Sequence, residues 1–168
     1  MHGHRIRSEV EVRRAAVLRG DPEVASETAQ LPSEPAYKPE ALDDYENAMV
    51  SLAGLAAAHG TQTLFTTQPM LWKEENSPEE RAVFWLLKGE HEGRLYRRPP
   101  GVSARLLDAL NGRMLEACEL RGFQCVDLAG VMPRSLDFFY DDFHFNDAGA
   151  RFVAERVAEA LLASGLVQ

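Results

Sequence analysis

Twice in this chain a helical pattern of apolar residues runs into a glycine and then directly into a stretch of β-branched and aromatic residues. In the first unit Leu42, Tyr45, Met49, Leu52 and Ala56 recur at steps of three and four, and Gly60 stands where a helix C-terminal glycine belongs. Thr61 to Thr67 follows as a strand, closed by Gln68-Pro69. The second unit repeats the order: Leu107, Leu110, Met114 and Cys118 on a helix that Ser103 can cap, then Gly122, then a strand over 123–128. Strands separated by helices pair in parallel, so the expected class is α/β.

Other segments are placed around these units. Ser77-Pro78-Glu79-Glu80 is a capping box with proline at the first helical position, and it predicts a helix running on through Val83-Phe84-Trp85-Leu86-Leu87, apolar almost all round. A last helix is expected from Asn146 or Asp147 through Phe152, Val153, Val157 and Leu161 to Ser164-Gly165. Residues 4–19 carry a weak helical pattern in Ile6, Val10 and Val17. Pro22, Pro32, Pro35 and Pro39 mark an acidic linker before the main domain. The expected division is therefore 1–39, a weak helix plus linker, and 40–168, the α/β domain.

Composition narrows the function classes. With 168 residues, 45% hydrophobic and 26% charged, the chain suits one globular domain. Its longest apolar run, Ala82 to Leu87, is far too short to span a bilayer. The basic N-terminus lacks the apolar stretch of a secretory signal, so the expectation for the chain as written is a cytoplasmic protein. A net charge of −8 argues against nucleic acid as a partner; the five Arg against two Glu in residues 1–20 read as a local anion contact or as a solvated helix face. Cys118 and Cys125 sit in neither a CxxC nor a zinc spacing, which predicts two buried, inert thiols. His59 fits a helix C-terminus, and His91 within Gly89-Glu90-His91-Glu92-Gly93 reads as part of a solvated loop.

Chemistry concentrates in one segment, residues 137–149. His144 stands there in an acidic, aromatic loop just before a helix, with Asp141 three residues upstream. That spacing lets a tight turn fold Asp141 onto the imidazole, so that one ring nitrogen meets a carboxylate oxygen and the other faces a cleft. The loop follows the second strand of a parallel sheet, and in open α/β sheets ligands collect at the carboxyl ends of strands. Asp142 is the rival for the orienting role. A metal site built from Asp141, Asp142, Asp147 and His144 is the other reading, but no second histidine stands at ligand spacing.

With its surroundings, Asp141-x-x-His144-x-Asn146-x-x-Gly149 followed by a helix resembles the C-terminal part of the SGNH, or GDSL-type, esterase and lipase family. Phe65-Thr66-Thr67-Gln68-Pro69 is similar to that family's fourth strand and the loop after it. The resemblance covers roughly residues 40–165. It implies a three-layer α/β/α, flavodoxin-like parallel sheet, a carboxylic ester as substrate, no cofactor, His144 as general base and Asp141 as the residue that orients it.

The family's Gly-Asp-Ser nucleophile block and its Gly-x-Asn-Asp oxyanion block have no counterpart in this sequence. Loss of a triad nucleophile costs on the order of a millionfold in turnover. The expectation is a chain close to inactive alone, missing three N-terminal strands of the family sheet. The alternative is a non-catalytic binding or assembly module. Either way, a homodimer or complementing chain is expected at the uncovered sheet edge, with Leu64, Phe65, Leu52 and Ala56 under-packed without it. The Trp85 segment reads as a lid or as an ordinary core helix.

Overall fold

The computed structural model describes residues 39–84, 86–91 and 94–165. The weak helix and linker expected before Pro39, and Trp85, lie outside the described residues. In chain order the elements are α1 (Pro39–Ala58), β1 (Leu64–Thr66), α2 (Pro78–Ala82), β2 (Lys88–His91), β3 (Arg94–Arg97), α3 (Pro100–Arg121), β4 (Gln124–Val126), α4 (Leu128–Val131) and α5 (Asp147–Ser164). This is a mixed α/β architecture, mostly helical, with one parallel strand pair and one antiparallel hairpin.

Both helix–glycine–strand units form, with strands shorter than expected: Leu64–Thr66 within 61–67 and Gln124–Val126 within 123–128, where Asp127 caps α4 and Leu128 begins it. Gly60 and Gly122 take positive φ, 71° and 68°, which glycine adopts without a Cβ penalty. The reversal lets Thr61 N donate to Ala56 O at 2.9 Å and Phe123 N to Cys118 O at 3.1 Å, closing the two helix ends. Each chain then extends, and β1 pairs with β4 in parallel, Phe65 opposite Cys125. Beyond the strands, Thr67 N donates to Val126 O at 3.0 Å. Thr67 Oγ1 donates to Asp127 Oδ1 at 2.9 Å and accepts from Ala129 N at 2.7 Å. The carboxyl ends of the two strands are thus cross-tied by a buried threonine.

Helix α1 packs on α3, where Met49 meets Met114, Ala117 and Cys118, joined by Phe65 and Phe123 from the strands. Between the helices Arg113 pairs with Asp43 and Glu46, and Arg121 with Glu46. On the other side of α1, Leu52 and Leu55 are 57% and 60% exposed. Leu64, Phe65 and Ala56 are half-buried. Among the described residues no helix is long and apolar enough to cross a membrane.

Four local expectations are corrected. Cys118 and Cys125 are not thiols: they form a disulfide, with Cα atoms 6.3 Å apart. Gly122 turns the chain back on itself, and this brings the end of α3 beside β4. Disulfides persist in oxidising compartments. The bond closes a short loop, and a Cys118→Ala/Cys125→Ala variant is expected to lose about 2–3 kcal/mol in urea unfolding. Next, α3 starts at Pro100 with Pro99 as its cap, so Ser103 is a buried residue of the first turn and not the cap. The capping box at Ser77 forms with both of its hydrogen bonds, yet α2 ends at Ala82 and Val83 is its C-cap. Finally, His91 ends strand β2 of a hairpin and is not part of a loop.

The larger core draws on Met70, Leu71, Trp72, Val83, Phe84 and Leu87, which pack with Ala104, Met132 and Phe139. A polar knot fastens residues 73–80. Buried Glu80 takes Lys73 Nζ at 2.7 Å, Asn76 Nδ2 at 3.0 Å and Ser77 N at 2.9 Å. Burial pushes the Glu80 carboxyl up, but these donors outweigh it and hold its pKa below the ordinary value of 4.5. Arg121 and then Arg113 hold Glu46 below that value as well.

A depressed carboxylate contributes stability that is fully present above its unfolded pKa and is lost as pH falls through the folded one. The urea midpoint is therefore expected to hold steady from pH 7 down to about 5 and to fall at more acid pH. A Glu80→Gln/Glu46→Gln double variant should flatten that acid limb. An unchanged limb would refute the assignment.

Candidate active site

The loop between α4 and α5 is built as a lasso whose neck is residue 146. Asn146 caps α5, its Oδ1 accepting from Gly149 N at 3.0 Å. Its Nδ2 donates to Leu136 O and Asp137 O at 3.1 and 2.9 Å, and its backbone N to Phe138 O at 3.0 Å. One side chain thus ties the incoming and outgoing strands of the loop to the start of the helix. Within the loop Phe139 bridges Phe145, and Tyr140 N donates to His144 O at 3.2 Å. Residues 141–143 are thereby forced into a tight turn.

Asp141 organises that turn. Its Oδ1 accepts from Phe143 N at 2.9 Å and from His144 N at 2.7 Å, while its Oδ2 lies 2.8 Å from His144 Nδ1. The carboxylate is therefore aimed by two backbone donors before it meets the ring. A carboxylate without its proton can only accept, so in the neutral imidazole this contact places the proton on Nδ1 and leaves the lone pair on Nε2. The His144 side chain is 43% exposed and that of Asp141 12%.

Two aromatic rings hold the imidazole in place. Tyr140 stacks nearly parallel to it, 5.5 Å between centroids at 6°, and Phe143 lies 3.8 Å away. Burial and the adjacent Asp141 charge raise the Tyr140 pKa, so its phenol stays neutral beside the ring.

Asp142, the rival orienter, serves another purpose. Its side chain is fully buried and its Oδ2 accepts from Leu86 N at 2.8 Å, while its carbonyl accepts from Leu71 N at 3.0 Å. It fastens Leu71 and Leu86 to the loop that carries His144, while Asp141 meets the imidazole. Among the described residues no three His, Cys, Asp or Glu side chains converge as metal ligands do. Asp147 belongs to the first turn of α5, where its charge suits the helix dipole.

Sequence reasoning missed three positioning contacts. The Thr67–Asp127 tie is one and the Asp142–Leu86 contact another. The third is Asn111, buried in mid-α3, whose Oδ1 accepts from Gln68 N at 2.9 Å and whose Nδ2 donates to Gln68 O at 3.1 Å. It clamps the loop leaving the carboxyl end of β1. A buried polar residue on a helix core face was the available signal for it.

Three of the described serines have structural roles. Ser77 Oγ caps α2 and Ser135 Oγ contacts Asp137. Ser164 Oγ donates to Leu161 O at 2.9 Å.

No family model, curated protein or solved structure matches this chain. The likeness to SGNH hydrolases accordingly rests on the residues themselves, above all on 141–149.

Proposed function

We propose that His144 is the general base of an SGNH-type carboxylic ester hydrolase site, that Asp141 is its orienting partner, and that the chain supplies the C-terminal part of a three-layer α/β/α domain. The observation that carries this reading is the 2.8 Å contact between Nδ1 and Oδ2, made by a carboxylate already fixed through two backbone N–H groups. Such an arrangement gives Nε2 its lone pair and a fixed direction.

In the full reaction Nε2 takes the proton of a serine hydroxyl as the serine oxygen attacks the ester carbonyl. The proton then passes to the leaving alcohol as the acyl–oxygen bond breaks. Water, deprotonated by the same nitrogen, releases the acid from the acyl-enzyme and regenerates the serine. The sequence carries no Gly-Asp-Ser block to provide that nucleophile, so turnover requires it from a complementing segment or chain.

Two measurements test the proposal. A fluorophosphonate probe, which needs an activated serine, is expected not to label this chain alone; labelling that disappears in His144→Ala would show a competent serine and defeat that expectation. Imidazole ¹⁵N shifts are expected to show a protonated Nδ1 and a lone pair on Nε2; the opposite tautomer would overturn the base assignment.

A second reading, a non-catalytic assembly module, is favoured by the exposed Leu52 and Leu55 and by β1 having β4 as its sole partner strand among the described residues. It predicts self-association. A compact monomer on size exclusion that binds no hydrophobic dye would remove it.

A further inference from the structure

We propose that Asn111, buried on α3, is a positioning residue for His144, acting through the backbone of residues 68–71 on the peptide unit that aims the Asp141 carboxylate. The inference rests on the base assignment above and extends it to a side chain on a different element.

The link begins with an uncommon pairing. Asn111 is 7% exposed and shares a helix face with Met114 and Cys118, at steps of three and four. Its amide takes both polar groups of one backbone residue: Oδ1 accepts from Gln68 N at 2.9 Å and Nδ2 donates to Gln68 O at 3.1 Å. A neighbouring strand holds a residue in this way. Thr67 N still donates to Val126 O, so Asn111 takes over where the pairing with β4 stops. Only Asn and Gln carry an acceptor and a donor on one planar side-chain group, which is why an apolar residue cannot replace it there.

Four residues then carry the constraint. Gln68 precedes Pro69, which restricts it to extended backbone, and the proline ring fixes the next φ. Pro69, Met70 and Leu71 are all buried. At the far end Leu71 is held on both sides: its N donates to Asp142 O at 3.0 Å and its O accepts from Asn76 Nδ2 at 2.9 Å. A segment this short, tied at Gln68 and at Leu71, does not shift at one end without pulling on the other.

The last step follows from the planarity of the amide. The carbonyl of Asp142 and the N–H of Phe143 belong to one flat peptide unit. Its oxygen accepts from Leu71 N, and its N–H donates to Asp141 Oδ1 at 2.9 Å. The direction of that N–H is therefore set from outside the turn. The carboxylate it steadies is the one whose Oδ2 meets His144 Nδ1 at 2.8 Å. Release of Gln68 lets Leu71 and the peptide unit rotate together, and the carboxylate loses one of its two backbone guides.

The test uses the intact chain and imidazole ¹⁵N shifts. Asn111→Leu removes both bonds to Gln68, whereas Met114→Ala, one turn along the same helix, removes apolar volume from the cluster around Met49. Asn111→Leu is expected to raise the share of neutral imidazole protonated on Nε2 by about fivefold, the scale of one net hydrogen bond. Met114→Ala is expected to lower the urea midpoint at least as far and to leave the tautomer as it was. Should Asn111→Leu fail to fold, amide exchange of the unsubstituted protein decides instead: Gln68, Leu71 and Phe143 are expected to open together, with one dependence on added urea.

A folded Asn111→Leu chain with an unaltered tautomer, an equal tautomer change in Met114→Ala, or exchange of Phe143 independent of Gln68 and Leu71 would overturn the proposal. Each of these leaves the base assignment standing. Failure of that assignment reads differently: the unsubstituted protein would already carry its imidazole proton on Nε2, and the positioning role would fall with it.

Discussion

Gly149→Ala is expected to cost about 3 kcal/mol or more, read as a shift of the urea midpoint. A Cβ at this position would lie 2.1 Å from Phe138 O and 3.1 Å from the end of Met132. The first of these is a backbone atom that already accepts from Asn146 N, so it cannot yield without opening the neck of the loop that carries His144. The strain would fall on the N-cap of α5, on Asn146 and on the turn that holds His144. Loss of stability should therefore come with broadening of the His144 imidazole signals. Gly54→Ala provides the contrast, because in the interior of α1 nothing lies within 4 Å of the added carbon. That substitution is expected to stabilise by about 0.5–1 kcal/mol through helix propensity alone. Similar effects at the two glycines would mean that the close approach at Gly149 is not real.

Contrasts of this kind show which features the sequence could reveal. The two helix–glycine–strand units were legible because each depends on a local event, a left-handed glycine at Gly60 or Gly122 closing the helix behind it. The Asp141–His144 pair was legible for the same reason: three residues apart, the two groups need only one turn to meet. The capping box at Ser77 could also be read, but the length of its helix could not. Val83 to Leu87 is an unbroken apolar run that helix periodicity accepts, whereas Phe84 and Leu87 are drawn into the main core and Leu86 N is taken by Asp142, 56 residues away. A distant acceptor outweighed local propensity there.

Longer-range features stayed hidden throughout. The disulfide joins cysteines at a spacing that matches no motif, and only the folded turn at Gly122 brings them together. Asp141 and Asp142 are chemically identical neighbours, and their division of labour follows from what each happens to face. The hairpin was obscured by glycines and charges that read as a solvated loop, because cross-strand pairing with so few apolar residues leaves little periodic signal.

Substituting Asp141 is expected to separate two functions that one carboxylate performs. Asp141→Ala removes the acceptor for Phe143 N, His144 N and His144 Nδ1 together, and is expected to cost about 2–4 kcal/mol and to free the ring. Asp141→Asn is the more informative change. Its side-chain oxygen can still accept both backbone donors, so stability should fall by no more than about 1 kcal/mol. The amide nitrogen then replaces the oxygen that faced Nδ1, and it donates where the carboxylate accepted. The imidazole must respond by moving its proton to Nε2, which removes the lone pair that a general base needs. Imidazole ¹⁵N shifts should therefore show an inverted tautomer in a folded protein. Once a nucleophile is supplied, turnover should drop by roughly 10⁴-fold, the scale seen when a triad aspartate becomes asparagine. Asp142→Asn is the control: its carboxylate engages Leu86 N, so the tautomer should not change even if the hairpin loosens. An inverted tautomer in Asp142→Asn together with an unchanged one in Asp141→Asn would assign the orienting role to Asp142 instead.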